Sequence, residues 1–264
     1  MNLNPFERDV FGNNILLKRL IIFIFGVIAY YRFNIANKTR VSGTVNLKGL
    51  PDKRVLFVSN HQTYFADVAG FYQVFNCVKW GVYDRINYPL SLLNPKVNVY
   101  FIAAKETMKS GLLPRLFAYV GSVSIKRTWR EAGKNVDRGV DPKDIRKIHK
   151  AISSGWTITF PQGTTKPYVQ GRRGTAHIIK ELQPIVIPVV VDGFRRAFDK
   201  KGLFMKKKGC TLHIRFKEPL DLDFSANANQ IMNQIMQAIE QSEDFNTIEK
   251  ITRETETAER QASN

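Results

Sequence analysis

Short apolar runs of strand length alternate along this chain with stretches of helical period. That alternation confines it to an α/β layer fold. Residues 54–59 (RVLFVS), 98–104 (NVYFIAA), 122–126, 157–160, 184–191 and 211–216 (TLHIRF) read as strands, and residues 41–49 (VSGTVNLKG) alternate as a further one. Between them, residues 68–82 and 114–120 read as helices. Residues 144–153 carry Ile145, Ile148 and Ile152 on one helical face, and residues 228–242 repeat isoleucine every fourth position at Ile231, Ile235 and Ile239. The expected core is therefore a mixed, largely parallel sheet flanked by helices.

Charge narrows the partners. Forty Lys and Arg against 23 Asp and Glu give a formal net charge of +17, which calls for a polyanion nearby. No helix-turn-helix, zinc-finger or RNP-like pattern supports nucleic acid, and the basic residues lie near strongly apolar stretches, so an anionic membrane surface is the better match. The apolar run from Leu20 to Tyr31 is too short to span a bilayer, which needs ~20 residues, and it ends in Tyr30, Tyr31 and Arg32, residues suited to an interface. Residues 13–33 are expected to form a helix in one leaflet, although a buried core helix fits the same pattern. The chain then divides into a membrane-associated helical segment (1–40), an α/β domain (41–250) and a polar tail (251–264). Its expected place is the cytoplasmic face of a membrane, peripheral or monotopic. Cys77 and Cys210 stand far apart, with no Cys/His cluster around them, so no metal site is expected.

Two segments carry candidate chemistry, and each follows an expected strand, where open α/β sheets place their ligand sites. The first is Ser59-Asn60-His61-Gln62-Thr63-Tyr64-Phe65-Ala66-Asp67. A carboxylate on one imidazole nitrogen fixes the tautomer and leaves the other nitrogen to take a proton from an alcohol. Taken alone, the pair also fits a capping histidine beside an unrelated acid. The second is Phe160-Pro161-Gln162-Gly163-Thr164-Thr165, a turn whose N–H groups can face an oxyanion. Lys105-Glu106 and the segment 121–127, ending in Arg127, lie between them, and the basic Arg172-Arg173-Gly174 follows.

In order and spacing these segments resemble the boxes of the lysophosphatidate acyltransferase family of glycerolipid acyltransferases, over roughly residues 50–200. The resemblance implies an O-acyltransferase without metal or organic cofactor. It would move an acyl chain from acyl-CoA or acyl-carrier protein to the hydroxyl of a lyso-lipid, lysophosphatidate first among them. Another lysophospholipid or a singly acylated amino-acid lipid is the alternative acceptor, and a non-catalytic lipid-binding scaffold the alternative function. It implies that His61 is the general base, that Asp67 orients it and that Gly163 helps hold the oxyanion. Lys105, Arg127, Gln162, Thr164 and Arg172 would contact substrate. Three departures stand out. Five residues separate His61 from Asp67 where the family has four. Gln162 replaces a glutamate, and Thr165 an arginine. On a regular helix the extra residue would swing Asp67 by ~100°, so a loop or a π-bulge is expected to absorb it.

Overall fold

The computed structural model describes residues 4–109, 111–126, 130–131, 134–135 and 141–249. Seven strands form one sheet: β1 (Lys38–Ser42), β2 (Val55–Ser59), β3 (Val99–Ala104), β4 (Ser122–Ile125), β7 (Trp156–Thr159), β8 (Ile185–Asp192) and β9 (Thr211–Phe216). A separate two-stranded ribbon pairs β5 (Arg130–Glu131) with β6 (Lys134–Asn135). The sheet order is β1-β9-β8-β2-β7-β3-β4, and every neighbouring pair is parallel except β8 and β9. The sheet is thus mixed and largely parallel, as the strand–helix alternation implies.

The alternation of side chains along β2 assigns the two faces. Val55 and Phe57 join one core with α1 (Ile15–Tyr30), α2 (Ala66–Lys79) and α4 (Leu112–Gly121). Leu56 and Val58 join a second core with α5 (Pro142–Ile152), α6 (Arg173–Leu182) and α8 (Ala228–Ala238). Two short helices, α3 (Lys105–Met108) and α7 (Phe194–Ala197), follow β3 and β8 directly. Because β2 is buried along its whole length between β7 and β8, its C-terminal end opens at the middle of the sheet.

Three local readings shift. The strand expected over 41–49 ends at Ser42, because the chain turns at left-handed Gly43 and winds into a 3₁₀ turn, Thr44–Leu47, held by the Asp84 carboxylate on the Thr44 N–H at 2.8 Å. Helix α6, absent from the sequence reading, emerges from a basic segment that carries no side-chain cap, and of its residues Ala176 and Ile179 are fully buried. The N-terminal helix has two apolar sides. Ile21, Ile22 and Ala29 pack into the first core, whereas Leu16, Leu17, Leu20, Ile24, Val27 and Ile28 are exposed at i, i+3 and i+4 spacings. No helix among the described residues is long and apolar enough to cross a membrane.

On the packed side of α1, Lys18 is fully buried and meets Asp9 at 3.2 Å, over the face of Tyr100. Burial pulls the ammonium below its ordinary 10.5 even with Asp9 beside it. Burial would raise the Asp9 carboxyl, but Lys18 and hydrogen bonds from Asn13 and Phe11 outweigh it and hold that group below 3.8. Lys18→Met therefore strands a buried carboxylate and is expected to cost ~3–5 kcal/mol of unfolding free energy. Adding Asp9→Leu should recover most of that loss, and urea titrations of the single and double variants check both.

Asp9 is one of several depressed carboxyls. Asp144 and Asp192 are also held below 3.8 and Glu240 below 4.5, in each case because cationic and hydrogen-bonding neighbours outweigh burial. A carboxyl depressed on folding stabilises the protein above its unfolded value and loses that contribution as pH falls through the folded value. Unfolding free energy should therefore be flat above about pH 5 and decline below about pH 4. Denaturant titrations across that range test the sign.

Candidate functional site

The site is assembled where β2 and β7 end. At the tip of β2 the Asn60 side chain pairs with the backbone of β8, its Nδ2 donating to Val191 O at 2.9 Å and its Oδ1 accepting from Val191 N at 2.8 Å. This pair of hydrogen bonds extends the sheet by one position and fixes where the next residue, His61, leaves it. Gln62 continues the anchoring, since its side chain donates to Asp192 Oδ1 and accepts from the Arg195 N–H at 3.1 Å.

His61 Nδ1 lies 3.0 Å from Asp67 Oδ2. Asp67 is fully buried in the first turn of α2, the end of a helix that favours an anion. Its carboxylate also accepts from the Gln62 N–H (2.6 Å), the Thr63 N–H (3.1 Å) and the Thr63 hydroxyl (2.7 Å). The five-residue spacing is thereby explained. Residues 61–65 form an irregular loop that closes onto the carboxylate before α2 begins at Ala66, so the extra residue is taken up in the loop and not in a π-bulge. With Nδ1–H donated to Asp67, the imidazole lone pair sits on Nε2.

A second brace was not evident in the sequence. The Tyr64 and Phe65 N–H groups donate to Lys200 O and Lys201 O at 3.1 and 2.9 Å. Gly202, at φ +75°, brings its backbone so close that a Cβ there would lie 2.5 Å from the Ala66 nitrogen and 2.8 Å from Thr63 Oγ1. In the sequence these residues show only a lysine pair and a glycine, and nothing links them to His61. Gly202→Ala is expected to displace the 61–66 loop and lower the melting temperature, because both the left-handed backbone and the missing volume oppose a methyl group. A thermal melt against Gly174→Ala, where a Cβ meets nothing within 4 Å, isolates the effect.

The segment after β7 packs onto the histidine. The Phe160 ring stacks on the His61 imidazole with centroids 3.8 Å apart and planes 19° apart. Residues 160–163 form a turn in which Gly163 has φ 65° and donates its N–H to Phe160 O at 2.9 Å. Gly163 and Thr164 line a cavity of about 800 Å³ together with His61. The walls of that cavity are largely apolar, from Val68, Phe101 and Met108 to Ile148, Ile178 and Met232. His61 also lines a second cavity of about 660 Å³, bounded by Asp192, Arg195, Arg215 and Glu240.

The other expected substrate contacts divide. Arg172 lines the larger cavity, beside Arg173 and Lys126. Lys105 opens α3 as an exposed residue outside both cavity walls, although Ala104 and Thr107 belong to the larger one. Gln162 is 1% exposed and reaches neither cavity, because its amide donates to Val169 O at 3.0 Å and to Gln241 Oε1 at 3.2 Å. At this position the side chain ties the turn to the segment after α8 and stands behind the cavity walls. Arg127 lies outside the described residues. Among the described residues no group of His, Cys, Asp and Glu could hold a metal ion, and Cys77 and Cys210 are buried free thiols.

A buried carboxylate behind a histidine, at the C-terminal edge of a largely parallel sheet and beside an apolar cavity, is an arrangement able to deprotonate a hydroxyl near an acyl chain. The sequence profile of the Acyltransferase family matches residues 38–192, more than half of the chain. The chain belongs to the acyltransferase family. The matched region of this acyltransferase runs from β1 to the end of β8 and contains both segments around His61 and Gly163. Among solved structures the fold is similar to that of the 1-acyl-sn-glycerophosphate (LPA) acyltransferase PlsC from Thermotoga maritima, with a TM-score of 0.55 and 18% identity over 89% of this chain and 80% of that one. No curated protein sequence matches the acyltransferase.

Proposed function

We propose that the protein acylates the hydroxyl of a glycerolipid-type lyso-lipid at a membrane surface, using a fatty acyl thioester as donor. The observation that carries this reading is His61 on Asp67 at 3.0 Å, set in the wall of an apolar cavity of about 800 Å³. The acceptor hydroxyl gives its proton to His61 Nε2 as its oxygen attacks the thioester carbonyl. Asp67 steadies the imidazolium that forms. The Gly163 N–H closes its own turn, so the adjoining Thr164 N–H is the donor better placed to meet the oxyanion, with Gly163 keeping the approach open. The tetrahedral intermediate then breaks its C–S bond, and the departing thiolate takes the proton from His61. The apolar cavity suits a fatty chain, and Arg172 in its wall suits an anionic group of either substrate.

The exposed apolar side of α1 supports work at a lipid surface. An exposed stripe of this kind on a chain of +17 charge suits the headgroup region of an anionic bilayer. Residues 1–40 would then be the membrane-contacting segment of the enzyme. Leu20→Asp with Ile24→Asp is expected to reduce flotation with anionic vesicles at least about tenfold, since burying such a side chain is worth ~1.5–3 kcal/mol.

The activity itself is tested by supplying acyl-CoA and acyl-carrier-protein thioesters, each with lysophosphatidate, other lysophospholipids and a singly acylated amino-acid lipid. Release of free thiol and the mass of the diacyl product are followed. A folded protein that binds vesicles yet acylates nothing in this set would be a lipid-binding scaffold instead.

A further inference from the structure

The second cavity beside His61 has a charge pattern unlike the rest of the chain. Its wall carries three arginines, Arg195, Arg196 and Arg215, against three acids, Asp192, Glu240 and Glu249, in a protein of net charge +17. Two of the arginines are already matched. Arg196 pairs with Asp192 at 2.7 Å and Arg215 with Glu240 at 2.6 Å, and Lys217 approaches the same Glu240 at 3.0 Å. Arg195 differs. Its guanidinium donates to the backbone oxygen of Thr165 and has no carboxylate partner among the described residues. Its backbone N–H donates to Gln62, the neighbour of His61. Arg195 thus touches both segments of the site and brings a cation to Thr165, the position where the resemblance leads one to expect an arginine.

We propose that this cavity takes the head group of the acceptor, and that the head group is zwitterionic, with one anionic group on Arg195 and one ammonium toward Asp192 and Glu240. This rests on the lyso-lipid acyltransfer reading above. His61 lines both cavities, so a head group in the smaller one and an acyl thioester in the larger one bring hydroxyl and carbonyl to the same imidazole. A phosphate monoester fits poorly. Its first charge can be met by Arg195, but its second finds cations already neutralised and two carboxylates in the same wall, and like charges at close range select against such a ligand. A head group with one charge of each sign adds no net charge to this balanced wall: its anion meets Arg195, and its ammonium shares the Asp192 and Glu240 carboxylates with the cations already on them. A phosphodiester of ethanolamine and an amino acid with free amine and carboxylate share this chemistry.

The experiment ranks three acceptors with one acyl-CoA donor in mixed micelles: lysophosphatidylethanolamine, a singly acylated amino-acid lipid bearing a hydroxyl, and lysophosphatidate. The unmodified protein is expected to prefer one or both zwitterions over lysophosphatidate by about tenfold or more in kcat/KM. Which of the two is faster identifies the source. Arg195→Gln should raise KM for the preferred zwitterion about tenfold, and Glu240→Gln should shrink the discrimination against lysophosphatidate. Lysophosphatidate turned over as well as both zwitterions overturns the proposal, and that ranking needs no variant. Unchanged KM in a folded Arg195→Gln protein also overturns it. Acylation of none of the three is a different result, since it removes the acyltransfer reading together with this inference.

Discussion

Replacing His61 with alanine should lower acyl transfer by about 10³-fold or more while leaving a folded protein. The acceptor hydroxyl is a weak nucleophile until a base takes its proton, and only His61 is presented to both cavities with one nitrogen held by a buried carboxylate. No other histidine can substitute. His177 lies on α6 in the wall of the larger cavity only, His213 on β9 in the smaller one only, and His149 on α5 in neither. The structural loss is small by comparison. The imidazole gives up its stack on Phe160 and one hydrogen bond to Asp67, a cost of ~1–2 kcal/mol and a shift of a few degrees in melting. Vesicle binding, which the proposed function assigns to α1, should be unchanged. Thiol-release kinetics, a thermal melt and vesicle flotation on the same preparation separate the three effects. A folded His61→Ala protein with more than a tenth of the original rate would show that the proton leaves by another route.

Much of this site is legible in the sequence because its parts are local. The strand over 54–59 delivers His61, the strand over 157–160 delivers Gly163, and parallel neighbours necessarily bring such strand ends together. What could not be read depends on contacts distant in sequence. Lys200 and Lys201 look like solvated charge, yet their backbone oxygens hold the loop between His61 and α2. Gln162 looks like a substrate-facing residue because it sits between two that line the cavity wall, yet its amide turns inward to Val169 and Gln241. Arg195 follows β8 with no motif around it, and only the fold sets it against Gln62 and Thr165. The spacing between His61 and Asp67 was ambiguous for the opposite reason. Helical geometry forbids the pair if α2 starts early, and nothing in residues 62–65 states that it starts at Ala66.

Replacing Asp67 with asparagine should lower kcat about 10²–10⁴-fold with little change in KM, because it alters the imidazole and not the cavities. The carboxylate is an acceptor on both oxygens. Oδ2 receives His61 Nδ1, Gln62 N and Thr63 N, and Oδ1 receives the Thr63 hydroxyl and a longer contact from Thr63 N at 3.2 Å. An asparagine can fit in two orientations. With its oxygen in the Oδ2 position it still accepts from His61 and Gln62, and its NH₂ can donate to the Thr63 hydroxyl, but it no longer carries the charge that stabilises an imidazolium. With its NH₂ there instead, it donates to Nδ1, forces the other tautomer and places a hydrogen on the nitrogen that must act as base. That second orientation also sets the NH₂ against two backbone donors, so the first should dominate, with a stability cost of ~1–3 kcal/mol. Asp67→Ala serves as the contrast. It leaves the Gln62 and Thr63 N–H groups without an acceptor in a buried loop, so it should lose both activity and several degrees of melting temperature. If Asp67→Asn kept full kcat while Asp67→Ala lost it, the carboxylate would serve only to fold the loop, and the charge behind His61 would have no part in the chemistry.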